Sequence, residues 1–452
     1  MKKYIGSRKF YRELFFVCLP LIIQFFVQQS VNFLDNIMVG DMGEEPIAAV
    51  GIANQYYRLY FPLVFATGAG ATIFTAQYFG AKNFKKLKQT FGFKLVWPMV
   101  IAVVFVICGY LFKYNIVDFF IEDGNLLTRQ YAVDYLEIMI LSFIPYAVVS
   151  AFATTLRPIG KAKIPMYISS IAMLINLVFN YLLIFGNFGF PELGVKGAAI
   201  ATVIARCFEA VAFVMIYIVQ DIEFKGSFKE LFTIEVSLQK AILKKMIPLL
   251  INEFGFTTAS IFIFKAFAHT GTKGLALVSI VDIIFFMFLI LVNGLGTASS
   301  IFIGNRLGAN KLEEAEQNSY WMLSYGVIMA TVVMVMIIVF SPLLPELYNI
   351  DQELKDIIKW ALILRSLTVI PMMITRVTLF ILRNGGRATE TLIIDGVFMW
   401  LVKVPLALIL SYVFEANILV VYTLVHFTQF PNALISIYFF KKKKWLKNLA
   451  VE

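Results

Sequence analysis

The chain has 452 residues, of which 60% are hydrophobic and only 15% are charged, and its formal net charge is +10. Soluble globular chains have roughly 45–50% apolar and about 25% charged residues. This composition therefore excludes a cytosolic enzyme, a secreted disulfide-rich protein and a disordered chain. Since one bilayer span needs about 20 apolar residues, the sequence predicts a polytopic integral membrane protein with little left for a soluble domain.

Hydropathy predicts an all-α integral membrane fold with twelve spanning helices. The expected spans are 13–39, 46–79, 95–112, 131–156, 164–186, 196–220, 246–268, 274–305, 318–340, 356–382, 391–413 and 416–440. The second and eighth exceed the length of a span, so we expect them to be tilted or to extend beyond the membrane. The first is too long for a signal-peptide core and is read as a retained helix.

Basic residues concentrate on alternate connections between these spans. The termini and every second connection hold most of the 39 Lys and Arg residues. The loop 80–94, for example, holds Lys82, Lys85, Lys86, Lys88 and Lys94. Because cytoplasmic loops carry an excess of Lys and Arg, both termini are predicted in the cytoplasm. The same signal explains the basic tail, so the lipid bilayer is an expected partner and nucleic acid is not. Lysines outnumber arginines 28 to 11, a bias that suggests an AT-rich bacterial genome and hence the bacterial inner (plasma) membrane.

The sequence lacks the motifs that mark most enzymes and cofactor sites. The three cysteines lie far apart and the two histidines cannot build a metal centre. No P-loop, HExxH, GxSxG or EF-hand pattern occurs. We therefore predict no catalytic residue and no cofactor, and any energy for transport must come from an ion gradient.

The two halves of the chain resemble each other. Pro20 matches Pro248, and Leu156-Arg157 matches Leu382-Arg383, at an offset near half the chain length. Each half then holds six helices that start in the cytoplasm, which predicts two parallel six-helix bundles related by an axis along the membrane normal. The predicted domains are an N-lobe (1–220), a cytoplasmic linker (221–245), a C-lobe (246–440) and a basic cytoplasmic tail (441–452).

The first span carries four polar residues on one narrow face of an apolar helix: Gln24, Gln28, Asn32 and Asp35. Such a face looks into the bundle or towards water, although a polar seam between helices is the structural alternative. Asp35 has no basic neighbour in its span, so it should bind a proton or recruit a mobile cation. Gln28 and Asn32 are predicted to contact the substrate.

Three further polar residues lie at the depth of Asp35, about 6–9 Å below the outer surface. They are Asn176 and Asn180 of the fifth span and Thr202 of the sixth. Amide and hydroxyl oxygens with one carboxylate suit Na⁺, or a hydrogen-bond network around a protonated Asp. We predict that these four residues couple transport to a cation, and that they are metal ligands only if the ion is Na⁺.

In the seventh span, Glu253 and its neighbour Asn252 are predicted to bind a cation or the substrate. Some of the 45 Phe residues should line an aromatic cavity that holds organic cations. The other intramembrane charges are expected to form structural pairs: Arg206 with Glu209, Asp282 with Lys265, and Asp395 with Lys403.

Several motifs resemble the multidrug and toxic compound extrusion (MATE) family over essentially the whole chain. They are the first-span stretch with Pro20, Asp35, Met38 and Gly40; Ala76-Gln77-Tyr78-Phe79-Gly80-Ala81; Leu156-Arg157-x-x-Gly160; Asn176-x-x-x-Asn180-Tyr181; and Gly194-x-x-Gly197-Ala198-Ala199-x-Ala201-Thr202. In this order and spacing they are specific for the family, and the match of Asp35, Asn176 and Thr202 to the coupling site of DinF-like members favours that branch. The resemblance implies cation-driven efflux by alternating access between two lobes.

The resemblance also implies roles for individual residues. Asp35, Asn176 and Thr202 match the coupling site of DinF-like members, but Asn180 stands where many relatives have Asp. NorM-like members pair a Glu on helix 7 with an Asp on helix 10; Glu253 matches the Glu, whereas 371–376 contains no acid. Loss of one acidic charge at Asn180 favours H⁺ over Na⁺.

The predicted function is secondary active export of cationic or amphipathic drugs or metabolites in exchange for H⁺ or Na⁺. The alternative is a lipid-linked oligosaccharide flippase of the same superfamily. A channel is a third possibility, which the duplication without a filter motif disfavours. Equal numbers of acids and bases well inside the predicted spans favour the exporter, because such flippases have strongly basic cavities.

Overall fold

The computed structural model describes residues 5–40, 42, 44–119, 126–270, 272–289, 294–347 and 351–450. Within these ranges the side chains of 28–37, 39–40, 44, 47–48, 228, 268, 272–276, 279 and 286–287 are outside the description. The secondary structure of the described residues is helical throughout, with short turns between helices.

Fourteen helices are labelled here in chain order. In the first half they are α1 (Arg8–Gly40), α2 (Glu44–Gly80), α3 (Phe84–Leu111), α4 (Leu126–Leu156), α5 (Lys163–Phe185) and α6 (Val195–Val219). In the second half they are α7 (Val236–His269), α8 (Thr272–Leu289), α9 (295–308), α10 (Leu312–Phe340), α11 (Gln352–Ser366), α12 (Val369–Asn384), α13 (Ala388–Val413) and α14 (Ile418–Lys441). Short helices at Lys113–Asp118 and Phe228–Phe232 lie between them.

Ten of the described helices are long and apolar enough to cross a membrane, and α11 with α12 forms an eleventh span bent by 45°. The predicted eighth span, 274–305, corresponds to α8 and α9, between which 290–293 lie outside the described residues. The predicted all-α integral membrane fold is confirmed. Several spans contain an internal proline, which removes a backbone donor and favours a kink; Pro20 in α1 and Pro248 in α7 lie equally far from the start of their helices.

Contacts divide the chain into two compact units. The N-unit comprises Ile23–Phe79 and Asn83–Leu243, and the C-unit comprises Met1–Ile22, Gly80–Lys82 and Lys244–Glu452. The beginning of α1 therefore packs in the C-unit, where the Phe10 ring lies 5.1 Å from Phe302 and 5.0 Å from Trp321. The sequence pattern had placed these residues with the N-lobe, because hydropathy locates a span but not its neighbours.

Most of the predicted linker, residues 221–243, belongs to the N-unit. Phe224 is fully buried, with its ring 4.6 Å from Phe91 of α3. Gly92 of α3 lets the linker approach closely, since a Cβ there would lie 1.8 Å from the Leu231 carbonyl oxygen. The segment is thus packed against the N-terminal part of α3.

The predicted basic tail is also packed, in this case within the C-unit. Trp445 is fully buried and covers Gly385, where a Cβ would lie 2.2 Å from the Trp445 carbonyl oxygen. Asn448 donates a hydrogen bond to the Gly308 carbonyl at 3.2 Å. The four lysines of the tail, Lys441 to Lys444, are exposed.

Candidate functional site

Within the N-unit, α5 and α6 bring three of the four predicted coupling residues together. The helices approach closely because Gly197 has no side chain: a Cβ there would lie 2.4 Å from the Leu183 carbonyl oxygen. Asn176 Nδ2 donates to Thr202 Oγ1 at 3.4 Å, and Asn180 Nδ2 donates to Asn176 Oδ1 at 3.5 Å. Asn180 is only 3% exposed, so the cluster presents amide and hydroxyl groups inside the unit.

The fourth predicted coupling residue, Asp35, lies on α1, but its side chain is outside the described residues, as are those of Gln28 and Asn32. Their predicted roles stay predictions. Gln24, on the same predicted face, is described: its Oε1 accepts a hydrogen bond from Arg157 Nη2 at 3.2 Å.

The predicted pair between Arg206 and Glu209 is confirmed. Arg206 Nη1 lies 2.7 Å from Glu209 Oε2, and the Ser169 hydroxyl donates to the other carboxylate oxygen at 2.5 Å. The Arg206 guanidinium also lies 5.2 Å from the Tyr146 ring centroid, a cation–π distance. This pair is neutral as a whole and joins α4, α5 and α6.

Lys94 is the clearest departure from the sequence-based topology. The charge pattern counts it among the loop residues 80–94, but it lies well inside α3 and is fully buried. Its ammonium donates to the Thr154 carbonyl at 2.8 Å. It also donates to the hydroxyls of Thr72 and Thr155, at 3.2 and 3.4 Å. All three partners are neutral oxygens, one for each ammonium N–H.

In the C-unit, Asn252 joins α7 to α13. Its Nδ2 donates to Asp395 Oδ2 at 3.1 Å, and its Oδ1 accepts from the Gly396 backbone N–H at 2.9 Å. Asn252 is 1% exposed, so in this structure its amide positions α13. Its predicted contact with substrate stays a prediction.

Glu253, the next residue, faces a fixed counter-charge. Arg383 Nη2 of α12 lies 3.8 Å from Glu253 Oε1, and both side chains are largely buried. The sequence predicts that the Glu253 carboxylate binds cationic ligands. In the structure Arg383 lies beside this carboxylate and would compete with such ligands for it. The repeat pattern contained the relevant signal, since Arg383 matches Arg157, but both were counted as loop charges.

Two predicted structural pairs are wrong. Asp282 contacts Arg365 of α11 and accepts a hydrogen bond from the Tyr422 hydroxyl at 2.9 Å, whereas its predicted partner Lys265 is exposed.

In the second pair, Asp395 accepts its hydrogen bond from Asn252, as described above. Its predicted partner Lys403 instead donates to Gln429 Oε1 at 3.5 Å. The sequence pattern does not show which helices pack against one another, so it could not identify these partners.

Among the described residues, no three His, Cys, Asp or Glu side chains come together to hold a metal ion. The Asn176, Asn180 and Thr202 cluster offers neutral oxygens, which suit Na⁺ only with an additional anionic ligand. Asp35 is the acid of the N-unit that the sequence offers for that purpose.

Comparisons with known proteins agree with this architecture. A family model named MatE matches the chain twice, at residues 20–182 and 248–409, so each match begins at one of the two equivalent prolines. The probable multidrug resistance protein YoeA of Bacillus subtilis is 25% identical over 444 residues, covering 97% of this chain and 94% of that protein. The probable multidrug resistance protein NorM of Thermotoga maritima is 24% identical over 446 residues, covering 96% and 93%.

A crystal structure described as MATE in the straight conformation superposes with a TM-score of 0.87 at 18% identity. It covers 95% of each chain, and the likeness concerns the fold. The relatives carry both YoeA and NorM names, so they do not select a branch, and the DinF-like assignment stays a prediction.

Proposed function

Since the chain belongs to the MatE family, whose members are membrane transporters and not enzymes, we propose that it is a secondary active exporter of small amphipathic drugs or metabolites. The relatives named as multidrug resistance proteins support a drug-like cargo. None of the relatives described above favours the lipid-linked oligosaccharide flippase. We place the exporter in a bacterial inner membrane with both termini in the cytoplasm, as its charge pattern predicts.

The energy source in this proposal is an inward flow of H⁺ or Na⁺ through the N-unit. The observation that carries it is the buried cluster of Asn176, Asn180 and Thr202, which lies in the unit that contains Asp35. Asp35 is the carboxylate that takes up the ion, and the amides and hydroxyl hold the charged carboxylate when the ion leaves. Transport follows alternating access, because the two forms of Asp35 stabilise different packings of α1.

The coupling ion in this proposal is H⁺ rather than Na⁺. Among the four predicted coupling residues only Asp35 is acidic. One proton neutralises that charge completely, whereas a Na⁺ ion would exchange its hydration shell for mostly neutral oxygens. After protonation, Asp35 releases its hydrogen-bond partners, and α1 bends near Pro20, where the backbone lacks a donor.

The test is efflux from proteoliposomes loaded with fluorescent amphipaths, with ethidium as the cation and carboxyfluorescein as the anion. An imposed pH gradient should drive export of at least one dye. Asp35→Asn mimics the protonated form, so it should fold normally yet lose gradient-driven export. Asp118→Asn is the matched control, because Asp118 lies outside the spans in an exposed pair with Arg129. Wild-type rates in Asp35→Asn would refute the proposed coupling.

A further inference from the structure

The deep acidic side chains of the C-unit are few, and all of them are described. They are Glu253, Asp282 and Asp395. Asp282 contacts Arg365 and Tyr422, and Glu253 lies 3.8 Å from Arg383. Asp395 accepts its hydrogen bond from a neutral amide, that of Asn252. Two of the three acids therefore already have a basic partner.

Two deep cations of the same unit are left without such a partner. Arg376 of α12 and Lys403 of α13 form no ion pair within 4.0 Å with any described carboxylate. The hydrogen bond of Lys403 goes to Gln429, which itself donates to Thr375 at 3.0 Å. The Arg376 side chain is exposed on the surface of its helix.

These two cations belong to one electrostatic group with Arg383 and the carboxylates of Glu253 and Asp395. Lys403 interacts with both Asp395 and Arg376, and Arg376 also interacts with Glu253 and Arg383. Three cations therefore share two carboxylates in this group, and one positive charge is in excess. A cation at this depth does not face lipid and requires water or an anion, so the group attracts negative charge.

An independent observation in the N-unit shows the same imbalance. Arg157, which matches Arg383 in the repeat, donates to the neutral Gln24 at 3.2 Å and forms no ion pair with a described carboxylate. Its Nε is buried and has no hydrogen-bond partner among the described side chains. Sequence position alone counted Arg157, Arg383 and Lys94 outside the spans and so gave equal numbers of deep acids and bases.

We propose that the exported molecule carries a negatively charged group, such as a carboxylate, sulfonate or phosphate, that binds to Arg376 and Lys403 in the C-unit. The guanidinium of Arg376 offers paired donors to planar oxyanions, and Lys403 adds a second positive charge. This inference rests on the proposed export function and narrows its substrates to amphipathic organic anions and zwitterions. It replaces the cationic preference that follows from reading Glu253 as an unpaired carboxylate.

Carboxyfluorescein is the probe, and the fluorescence anisotropy of its binding to the purified full-length protein is the primary measurement. Arg376→Gln and Lys403→Gln should each raise the Kd roughly tenfold to a hundredfold, as expected for a lost charge-assisted contact. Arg376→Lys should retain part of the affinity. Lys265→Gln is the matched control, because Lys265 is an exposed cation near the end of α7 in the same unit.

Binding to wild type that is undetectable, or that is unchanged in Arg376→Gln, overturns the inference. If Lys403→Gln fails to fold, the exposed position of Arg376 makes Arg376→Gln decisive. Ethidium export separates this inference from the proposed function: driven ethidium export without carboxyfluorescein binding refutes the anion site alone. Carboxyfluorescein binding that depends on Arg376, without driven export of either dye, supports the anion site and refutes the export proposal.

Discussion

Two buried charged side chains are held in opposite ways. Lys94 is surrounded by neutral oxygens, and two of these keep their own bonds without it: Thr155 donates to the Ala151 carbonyl and Thr72 to the Gly68 carbonyl. Arg365, in contrast, depends on the carboxylate of Asp282. Removing a charge should therefore have different consequences at the two sites.

We expect Lys94→Met to leave the melting temperature unchanged or to raise it. The substitution removes the desolvation cost of a buried charge and leaves no ion unpaired, since the three partners of Lys94 are neutral oxygens. Thermal unfolding can be followed by the reaction of buried Cys18 with a thiol-reactive dye, in a background in which Cys108 and the exposed Cys207 are replaced by Ser. A marked fall in melting temperature would show that the Lys94 hydrogen bonds outweigh the desolvation cost.

We expect Asp282→Asn to destabilise the protein, because it leaves the largely buried Arg365 without its counter-charge. Breaking a fully buried pair costs about 3–5 kcal/mol. The Asp282 side chain is 37% exposed, so we expect about 2 kcal/mol after allowance for solvent screening. The same thermal assay measures the loss. Glu346→Gln, which removes the acid of an exposed pair with Lys355, should change the melting temperature little.

Asn180 supports a prediction about the coupling ion. Asn180→Asp adds an acid beside Asn176 in the N-unit cluster, which should increase the dependence of export on Na⁺. The measurement compares efflux under a Na⁺ gradient with efflux under a pH gradient. Asn187→Asp, which adds an acid at the end of α5, should not change this ratio. Equal Na⁺ dependence in both variants would argue against Asn180 as part of the ion site.

At the scale of single elements, α13 departs most from a regular helix. It contains π-helical stretches at Ile393–Val397, Met399–Lys403 and Ile409–Val413. Asp395 and Lys403 lie in the first two, and π turns are frequent at functional sites. Hydropathy predicted this span as 391–413, but apolar periodicity does not distinguish π from α turns.

The short helix Phe228–Phe232 in the linker begins with a capping box between Ser227 and Glu230. The Ser227 backbone N–H, with the Lys88 ammonium 3.0 Å away, holds the pKa of Glu230 below its ordinary 4.5. The Glu230 carboxylate therefore stabilises the short helix at pH values above its unfolded-state pKa. This stabilisation is lost as the pH falls through the lower folded-state pKa.

Hydrogen exchange tests this cap. At pH 7, the amides of Phe228–Phe232 should be less protected in Glu230→Gln than in wild type. The difference should close only below pH 4.5, as Glu230 takes up a proton in the folded chain. Glu235→Gln is the control, since Glu235 lies 3.9 Å from Lys85 and outside the short helix Phe228–Phe232. A difference that persists at all pH values would exclude the carboxylate as its cause.

At the scale of the whole molecule, the sequence predicts the helices well and their neighbours poorly. Hydropathy located the spans, and motif spacing identified Asn176, Asn180 and Thr202, which the structure brings together. Lys94 was missed because the predicted third span begins at residue 95, whereas α3 begins at Phe84. The partners of Asp282 and Asp395 were missed because hydropathy does not show which helices are neighbours. Local spacing reports depth and face within a helix, whereas the partner of a buried charge lies on a different helix.

The predicted topology can be tested by labelling with a membrane-impermeant maleimide in intact cells. In a background without native cysteines, Asn187→Cys between α5 and α6 should react from outside. Lys442→Cys, at an exposed position of the tail, should react only after the cells are opened. The opposite pattern would invert the orientation that the charge distribution predicts.

The C-unit is assembled from both ends of the chain, and this has a consequence for biogenesis. Phe10 finds Phe302 and Trp321 only after the ribosome has synthesised most of the protein. Trp445, at the other end, closes over Gly385 only once translation is nearly complete. The N-unit, which ends at Leu243, can pack earlier. The first residues to enter the membrane are therefore among the last to reach their native contacts, and a chain that stops at the midpoint leaves the start of α1 without them.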